Sequence, residues 1–154
     1  MKMKRIMFVC HGNICRSPMA EFILKDLLKK TGREDEFLVS SSATSSEEIY
    51  NGIGNPVYPP AERELLKHGI SCKGKNAVQL KKEDYEKYDL FLCMDDRNVQ
   101  NTLRIFGGDR LFKVKKLMTY AGVEEDISDP WYTGDFPGVY DDILKSLNGL
   151  LEVL

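Results

Sequence analysis

Residues 9–18 read VCHGNICRSP. Five residues separate Cys10 from Arg16, and Ser17–Pro18 follow directly. Cysteine is a nucleophile only as the thiolate. Its ordinary pKa of about 8.5 falls to roughly 3.5–7.5 at a helix N-terminus or beside a cation. Pro18 suits the first position of a helix and Ser17 its N-cap, so residues 10–17 read as a loop between a strand end and a helix start. Amides that curl inward, together with the helix dipole, attract an anion. Gly12 permits the backbone angles such a curl needs, and Asn13 tolerates them too. Arg16 offers a planar fork that matches two phosphate oxygens, and the Ser17 hydroxyl can donate to the thiolate. The pattern points to a phosphate cradle made by His11, Gly12, Asn13, Ile14, Cys15 and Ser17. A sulfur nucleophile lies under the phosphorus, opposite the leaving group, as in-line displacement requires.

The cradle must be a local device, because the chain of 154 residues carries a net charge of -2. That balance argues against a wide nucleic-acid-binding face. Four cysteines in this length do not read as a secreted disulfide framework. MKMKRIMFVC is basic and then apolar, but its apolar run is too short for a secretory leader, and no run reaches the roughly 20 residues of a membrane span. The expectation is one domain over 1–154, cytoplasmic, acting as a monomer or weak dimer.

Something must hold that loop. KRIMFVC is a short apolar run ending at Cys10 and reads as a buried strand. PMAEFILKDLLKKTG has apolar residues at helical spacing and ends at Gly32. EFLVSSSA predicts a second strand, TSSEEIYNGIGNPVYPP a polar loop, and AERELLKHG a short helix. YDLFLCM predicts a buried strand and DDRNVQNTLRIFGG a helix. RLFKV predicts the last strand, EEDISDPWYTGDFPG a long loop, and VYDDILKSLNGLLEVL a final amphipathic helix. Strands alternating with helices imply parallel pairing and right-handed crossovers. The predicted fold is α/β, a three-layer domain with an open parallel sheet flanked by helices and the phosphate-binding loop after the first strand. Ligands of such sheets bind beyond the carboxyl ends of the strands, where Cys10 and Asp95 both fall.

VCHGNICRSPMAE resembles the signature of the low-molecular-weight protein tyrosine phosphatases. GNPVYPPAERELLKHGI, YDLFLCMDDRN and DPWY occur in that family's order and at fitting intervals, so the resemblance spans essentially the whole chain. It implies four parallel strands and hydrolysis of phosphomonoesters through a cysteinyl-phosphate, without metal or organic cofactor. The implied substrates are phosphotyrosine proteins, and inorganic phosphate is the product. Cys10 becomes the nucleophile, Arg16 the phosphate ligand and Asp129 the general acid. The chemistry independently asks for an acid, since a phenol with a pKa near 10 leaves better when protonated. Asp129 precedes Pro130, which biases it toward extended backbone. Trp131 and Tyr132 offer aromatic faces to a phosphotyrosine ring, with Tyr50 the expected opposite wall.

The resemblance also implies supporting residues. Asn13 and Ser17 should tie the loop to one of Ser40, Ser41 and Ser42, with Ser41 the expected partner. Asp95 should cap the helix after the third strand and face the rim. Many relatives carry a histidine and an arginine between positions matching Gly74 and Gln79, where this chain has neither. Ile14, where phosphoarginine-selective relatives carry threonine, favours a flat apolar ring. Cys15 could pair reversibly with Cys10 and shield it from over-oxidation. Cys72, Cys93 and His68 read as structural, and no cluster has zinc spacing.

Three other readings compete. An arsenate reductase of the same fold needs two further, closely spaced cysteines on a mobile segment. A phosphoarginine phosphatase would want a different residue at 14. A noncatalytic phosphate-binding module would need neither the thiol nor Asp129.

Overall fold

The computed structural model describes residues 2–154. Among these described residues, six strands and six α-helices follow one another. The first part holds β1 (Lys4–Cys10), α1 (Arg16–Lys30), β2 (Phe37–Ala43), β3 (Ile49–Tyr50), β4 (Ile53–Gly54) and α2 (Pro59–Lys67). Then come α3 (Asp84–Lys87), β5 (Leu90–Cys93), α4 (Asp96–Phe106), β6 (Val114–Lys116), α5 (Pro130–Thr133) and α6 (Phe136–Val153). Short 3-10 turns cover Glu34–Glu36 and Leu117–Ala121.

Four strands form a parallel sheet in the order β2-β1-β5-β6. Because β1 pairs on both sides, its residues from Ile6 to Cys10 are all buried. Its side chains alternate between the two faces, as strand geometry demands. Ile6, Phe8 and Cys10 join a core with Met19, Ile23 and Leu24 of α1 and Ile143 and Leu147 of α6. Met7 and Val9 join Phe91, Tyr85 and Phe106 on the opposite face. Helix α6 lies so close to the 117–121 turn that a Cβ at Gly149 would stand 1.9 Å from the Tyr120 carbonyl oxygen. Only glycine fits there.

Several element boundaries differ from the sequence reading. Helix α1 begins at Arg16, so Cys15 takes the cap position and Ser17 lies inside the first turn. Pro18 is tolerated as the third helical residue because the N–H groups of a first turn have no intrahelical partner anyway. The fourth sheet strand covers Val114–Lys116, not 110–114. The Asp109 carboxylate accepts from the amides of Lys113 and Val114, and Phe112 adopts φ 54°, so a tight turn occupies the predicted strand. The loop after β2 contains the β3–β4 hairpin. The loop before α6 contains the one-turn helix α5, which starts at Pro130.

Candidate active site

The carboxyl end of β1 delivers Cys10 to the base of a cleft of about 620 Å³. The loop beyond it is held from outside by backbone bonds. Thr44 N–H donates to the Cys10 carbonyl, Ser45 N–H to that of His11, and Tyr58 N–H to that of Ile14. The left-handed residue in the curl is Asn13, at φ 58°, while Gly12 keeps a negative φ. This corrects the role expected of Gly12. Asparagine enters that region at modest cost, and here its side chain offsets the cost with three hydrogen bonds. Its Oδ1 accepts from Val78 N–H at 3.0 Å, and its Nδ2 donates to Ser17 Oγ at 2.8 Å and Ser41 Oγ at 2.9 Å. Gly12 instead leaves room at the rim, where an added Cβ would meet Glu48 Cγ at 3.2 Å.

Two groups address the Cys10 sulfur directly. Ser17 Oγ lies 2.9 Å from Sγ, and the Asn13 N–H donates to it at 3.3 Å. The first turn of α1 also points its free amides at this end of the loop. Cys15 is buried in the same loop, and burial above all, with the Cys10 charge next, pushes its thiol well above the ordinary range. Cys15 therefore stays protonated.

Arg16 is nearly inaccessible. Its NH1 donates to Asp95 Oδ2 and to the Ile127 carbonyl, both at 2.8 Å. Its NH2 stands 3.6 Å from Asp129 Oδ2, beyond hydrogen-bond distance. Burial acts to lower the arginine's pKa, but Cys10, Asp95 and Asp129 together more than reverse this and raise it. Asp95 does two things at once. Oδ1 caps α4 by accepting from Asn98 N–H at 2.7 Å in a capping box, and Oδ2 holds Arg16. Asp129 caps α5, accepting from Trp131 N–H through Oδ1 at 3.1 Å, which leaves Oδ2 toward Arg16.

Trp131 and Tyr132 line the cleft opening. Tyr50 does not, and stands 65% exposed on β3. The β3–β4 turn carries it away, and Glu47 and Glu48 line that side instead, with Glu47 3.0 Å from His11 Nε2. The aromatic that sequence reasoning missed is Tyr58, whose ring centre lies 4.6 Å from that of Trp131. Its only sequence signal is an aromatic residue just before Pro59–Pro60.

The stretch that lacks the relatives' histidine and arginine is also filled. Lys75 Nζ donates to the Ser41 carbonyl at 3.0 Å and lies 3.8 Å from Glu21 Oε1. Glu21 and Lys75 were both absent from the sequence-derived site. A charged residue on the inner face of a helix is the signal that marks Glu21, because such a group needs a buried partner. Cys72 and Cys93 are buried, and His68 stacks on Tyr140 away from the cleft. Among the described residues, no group of three or more His, Cys, Asp or Glu is arranged to hold a metal ion.

The family model for low molecular weight phosphotyrosine protein phosphatase matches residues 5–154. A Bacillus subtilis relative, low molecular weight protein-tyrosine-phosphatase YfkJ, is 35% identical over 136 residues, covering 87% of this chain and 85% of that protein. The Staphylococcus aureus relative PtpA, of the same description, is 35% identical over 150 residues, covering 97% of this chain and 92% of that one. The crystal structure of YfkJ superposes with a TM-score of 0.91 at 34% identity, over 99% of this chain and 95% of that one.

Proposed function

Because the chain belongs to the low-molecular-weight phosphotyrosine protein phosphatase family, and so is a cysteine-dependent protein-tyrosine-phosphatase, we propose that Cys10, Arg16 and Asp129 carry its reaction. The Cys10 thiolate attacks phosphorus, forming an S–P bond as the bond from phosphorus to the tyrosyl oxygen breaks. The Asp129 carboxyl passes its proton to that oxygen. Arg16 and the loop amides hold the phosphoryl oxygens while charge develops. Asp129, now a carboxylate, takes a proton from water as it attacks phosphorus. The S–P bond breaks, inorganic phosphate leaves and the thiolate returns.

One observation carries this assignment. The Cys10 sulfur has Ser17 Oγ at 2.9 Å, while Arg16, whose NH2 lies 3.6 Å from Asp129, lines the same cleft. A noncatalytic phosphate module needs no sulfur with its own hydrogen-bond donor. The arsenate reductase alternative is not favoured, because the two cysteines it would use, Cys72 and Cys93, are both buried. Burial pushes the Cys93 thiol up to about 12. The phosphoarginine alternative is not favoured either, since the YfkJ and PtpA relatives, matched over most of the chain, are named tyrosine phosphatases. Ile14 and Trp131 in the cleft suit a flat apolar ring.

The substrates in this reading are phosphotyrosine proteins, with the ring between Trp131 and Ile14. Among the described residues, no helix is long and apolar enough to cross a membrane. A reducing cytoplasm suits a free thiol nucleophile, and we place the protein there, working as a monomer or weak dimer. The test is Cys10→Ser. A serine hydroxyl is not ionised at neutral pH, so turnover of an aryl phosphate should vanish while vanadate still binds. Hydrolysis at more than a trace of the wild-type rate would remove Cys10 from the nucleophile's role.

A further inference from the structure

Behind the phosphate loop, Glu21 is a carboxylate on the buried face of α1. A carboxylate in such a place needs partners, or it takes up a proton. It has two ammonium groups. Lys25 donates to Oε2 at 2.6 Å, and Lys75, itself only 11% exposed, lies 3.8 Å from Oε1. Lys75 arrives on a strand-like segment pinned beside β2. Gln79 bridges to Ala43, Asn76 bridges to Pro56, and Ala77 N–H donates to Asn55.

An ionised carboxylate can only accept. Ser41 Oγ, 2.5 Å from Glu21 Oε1, must therefore spend its single proton on Glu21. Its lone pairs are left for Asn13 Nδ2. Asn13 has no freedom to turn over, because Val78 N–H occupies its Oδ1. The second Nδ2 proton goes to Ser17 Oγ. Ser17 thus accepts from Asn13, and its own proton is directed at Cys10 Sγ, 2.9 Å away. Every member of the chain from Glu21 to the sulfur has one permitted hydrogen-bond direction: the Glu21 carboxylate fixes the Ser41 proton, and Val78 N–H fixes Asn13 and through it Ser17.

We propose that Lys75 is a positioning residue for the Cys10 thiolate, acting through Glu21 and Ser41: its ammonium holds the Glu21 carboxylate and the Ser41 carbonyl in place, so that Ser41 stays the acceptor that seats Asn13, and with it Ser17, against the sulfur. The proposal rests on Cys10 as nucleophile. Lys75 also pins the end of β2 through the Ser41 carbonyl. Burial is the largest influence on Lys75 and lowers its pKa, while Glu21 and Cys10 act to raise it and Lys25 to lower it. The charged or titratable groups facing Lys75 are thus Glu21 and Lys25 of α1 and Cys10. Those around Cys10 are Lys75 behind the loop and, in the cleft that Cys10 lines, His11, Cys15, Arg16, Glu48, Asp95 and Asp129.

The test follows alkylation of Cys10 by iodoacetamide against pH, assigned by tandem mass spectrometry. Wild type, Lys75→Met and Lys75→Arg are compared. Lys75→Met should move the profile to higher pH, with about tenfold less reaction at a given pH below the midpoint, as for a weakened charge-assisted hydrogen bond. Its kcat on an aryl phosphate should fall more than its KM rises. Lys75→Arg should restore most of both. A folded Lys75→Met whose profile overlays wild type would overturn the proposal. Should that variant fail to fold, Glu21→Gln/Lys75→Met leaves no unpaired buried charge. A neutral amide can donate to Ser41 as well as accept, so the same displacement is expected and an overlay is equally fatal. The alkylation profile does not depend on turnover. Wild type that alkylates normally but hydrolyses no aryl phosphate would count against the phosphatase assignment instead.

Discussion

The Arg16 guanidinium and the Asp129 carboxyl stand 3.6 Å apart, NH2 to Oδ2, one nearly buried and the other at the cleft's edge. At this separation the charges interact without a hydrogen bond. The same guanidinium that would hold a phosphoryl group therefore also stabilises the carboxylate left when Asp129 gives up its proton. Asp129→Ala should cost about 10²–10⁴-fold in rate on a phenyl ester. The loss should shrink as the leaving phenol becomes more acidic. A graded series of aryl phosphates reads this out, and a uniform loss would make Asp129 structural, with Asp95 the next candidate acid.

Arg16→Lys should fail almost as badly as loss of a transition-state donor, by about 10²–10³-fold in kcat. NH1 is already committed to Asp95 and Ile127, and a single ammonium cannot meet those and a phosphate together. Steady-state kinetics beside a thermal melt checks it. Near-normal kcat would remove Arg16 from the transition state.

Mild peroxide should inactivate the enzyme, and dithiothreitol should restore it. Peroxide converts the Cys10 thiolate to a sulfenic acid. The Cys15 thiol then displaces water from it to form a disulfide. Cys15 is buried in the same loop and stays protonated, so it adds no second thiolate beside Cys10. A Cys10–Cys15 linked peptide should appear by mass spectrometry. Irreversible loss in wild type, unchanged in Cys15→Ser, refutes the pairing.

Tyr58→Ala should raise KM for a phosphotyrosine peptide roughly two- to tenfold, the worth of one aromatic contact. Inhibition by inorganic phosphate should barely change, because Tyr58 braces Trp131 rather than the cradle. Tyr50→Ala should leave both within about twofold, since surface substitutions are usually worth under ~0.5 kcal/mol. A reversal of these two results would put the substrate ring on the β3 side.

The phosphate loop and the strand that ends in it are legible because their residue types are restrictive. Cys10, Arg16 and Ser17–Pro18 leave few alternatives, and IMFV has no polar residue to place outside. Lys75 was not legible because it looks like surface charge until the fold brings α1 and the segment at 75–79 together, whereas Glu21 is marked only by its place on the apolar face of α1. That Tyr58 rather than Tyr50 meets Trp131 was not legible for a similar reason. Both lie in the stretch after β2, and only the hairpin at 49–54 decides which one turns toward Trp131. RLFKV has an apolar pattern suited to a strand, but Asp109 captures two amides and the turn wins.

The Cys10 sulfur hangs from a strand buried from Ile6 through Cys10, whereas Trp131 and Tyr132 ride on a four-residue helix, Tyr132 being 84% exposed. Mutation therefore meets two different landscapes. Around Cys10 nearly every change disturbs core packing and is purged for stability alone. On α5 a side chain can be exchanged with little effect on folding. Descendants of this sequence are free to acquire new protein targets by drift at the rim while inheriting the chemistry intact.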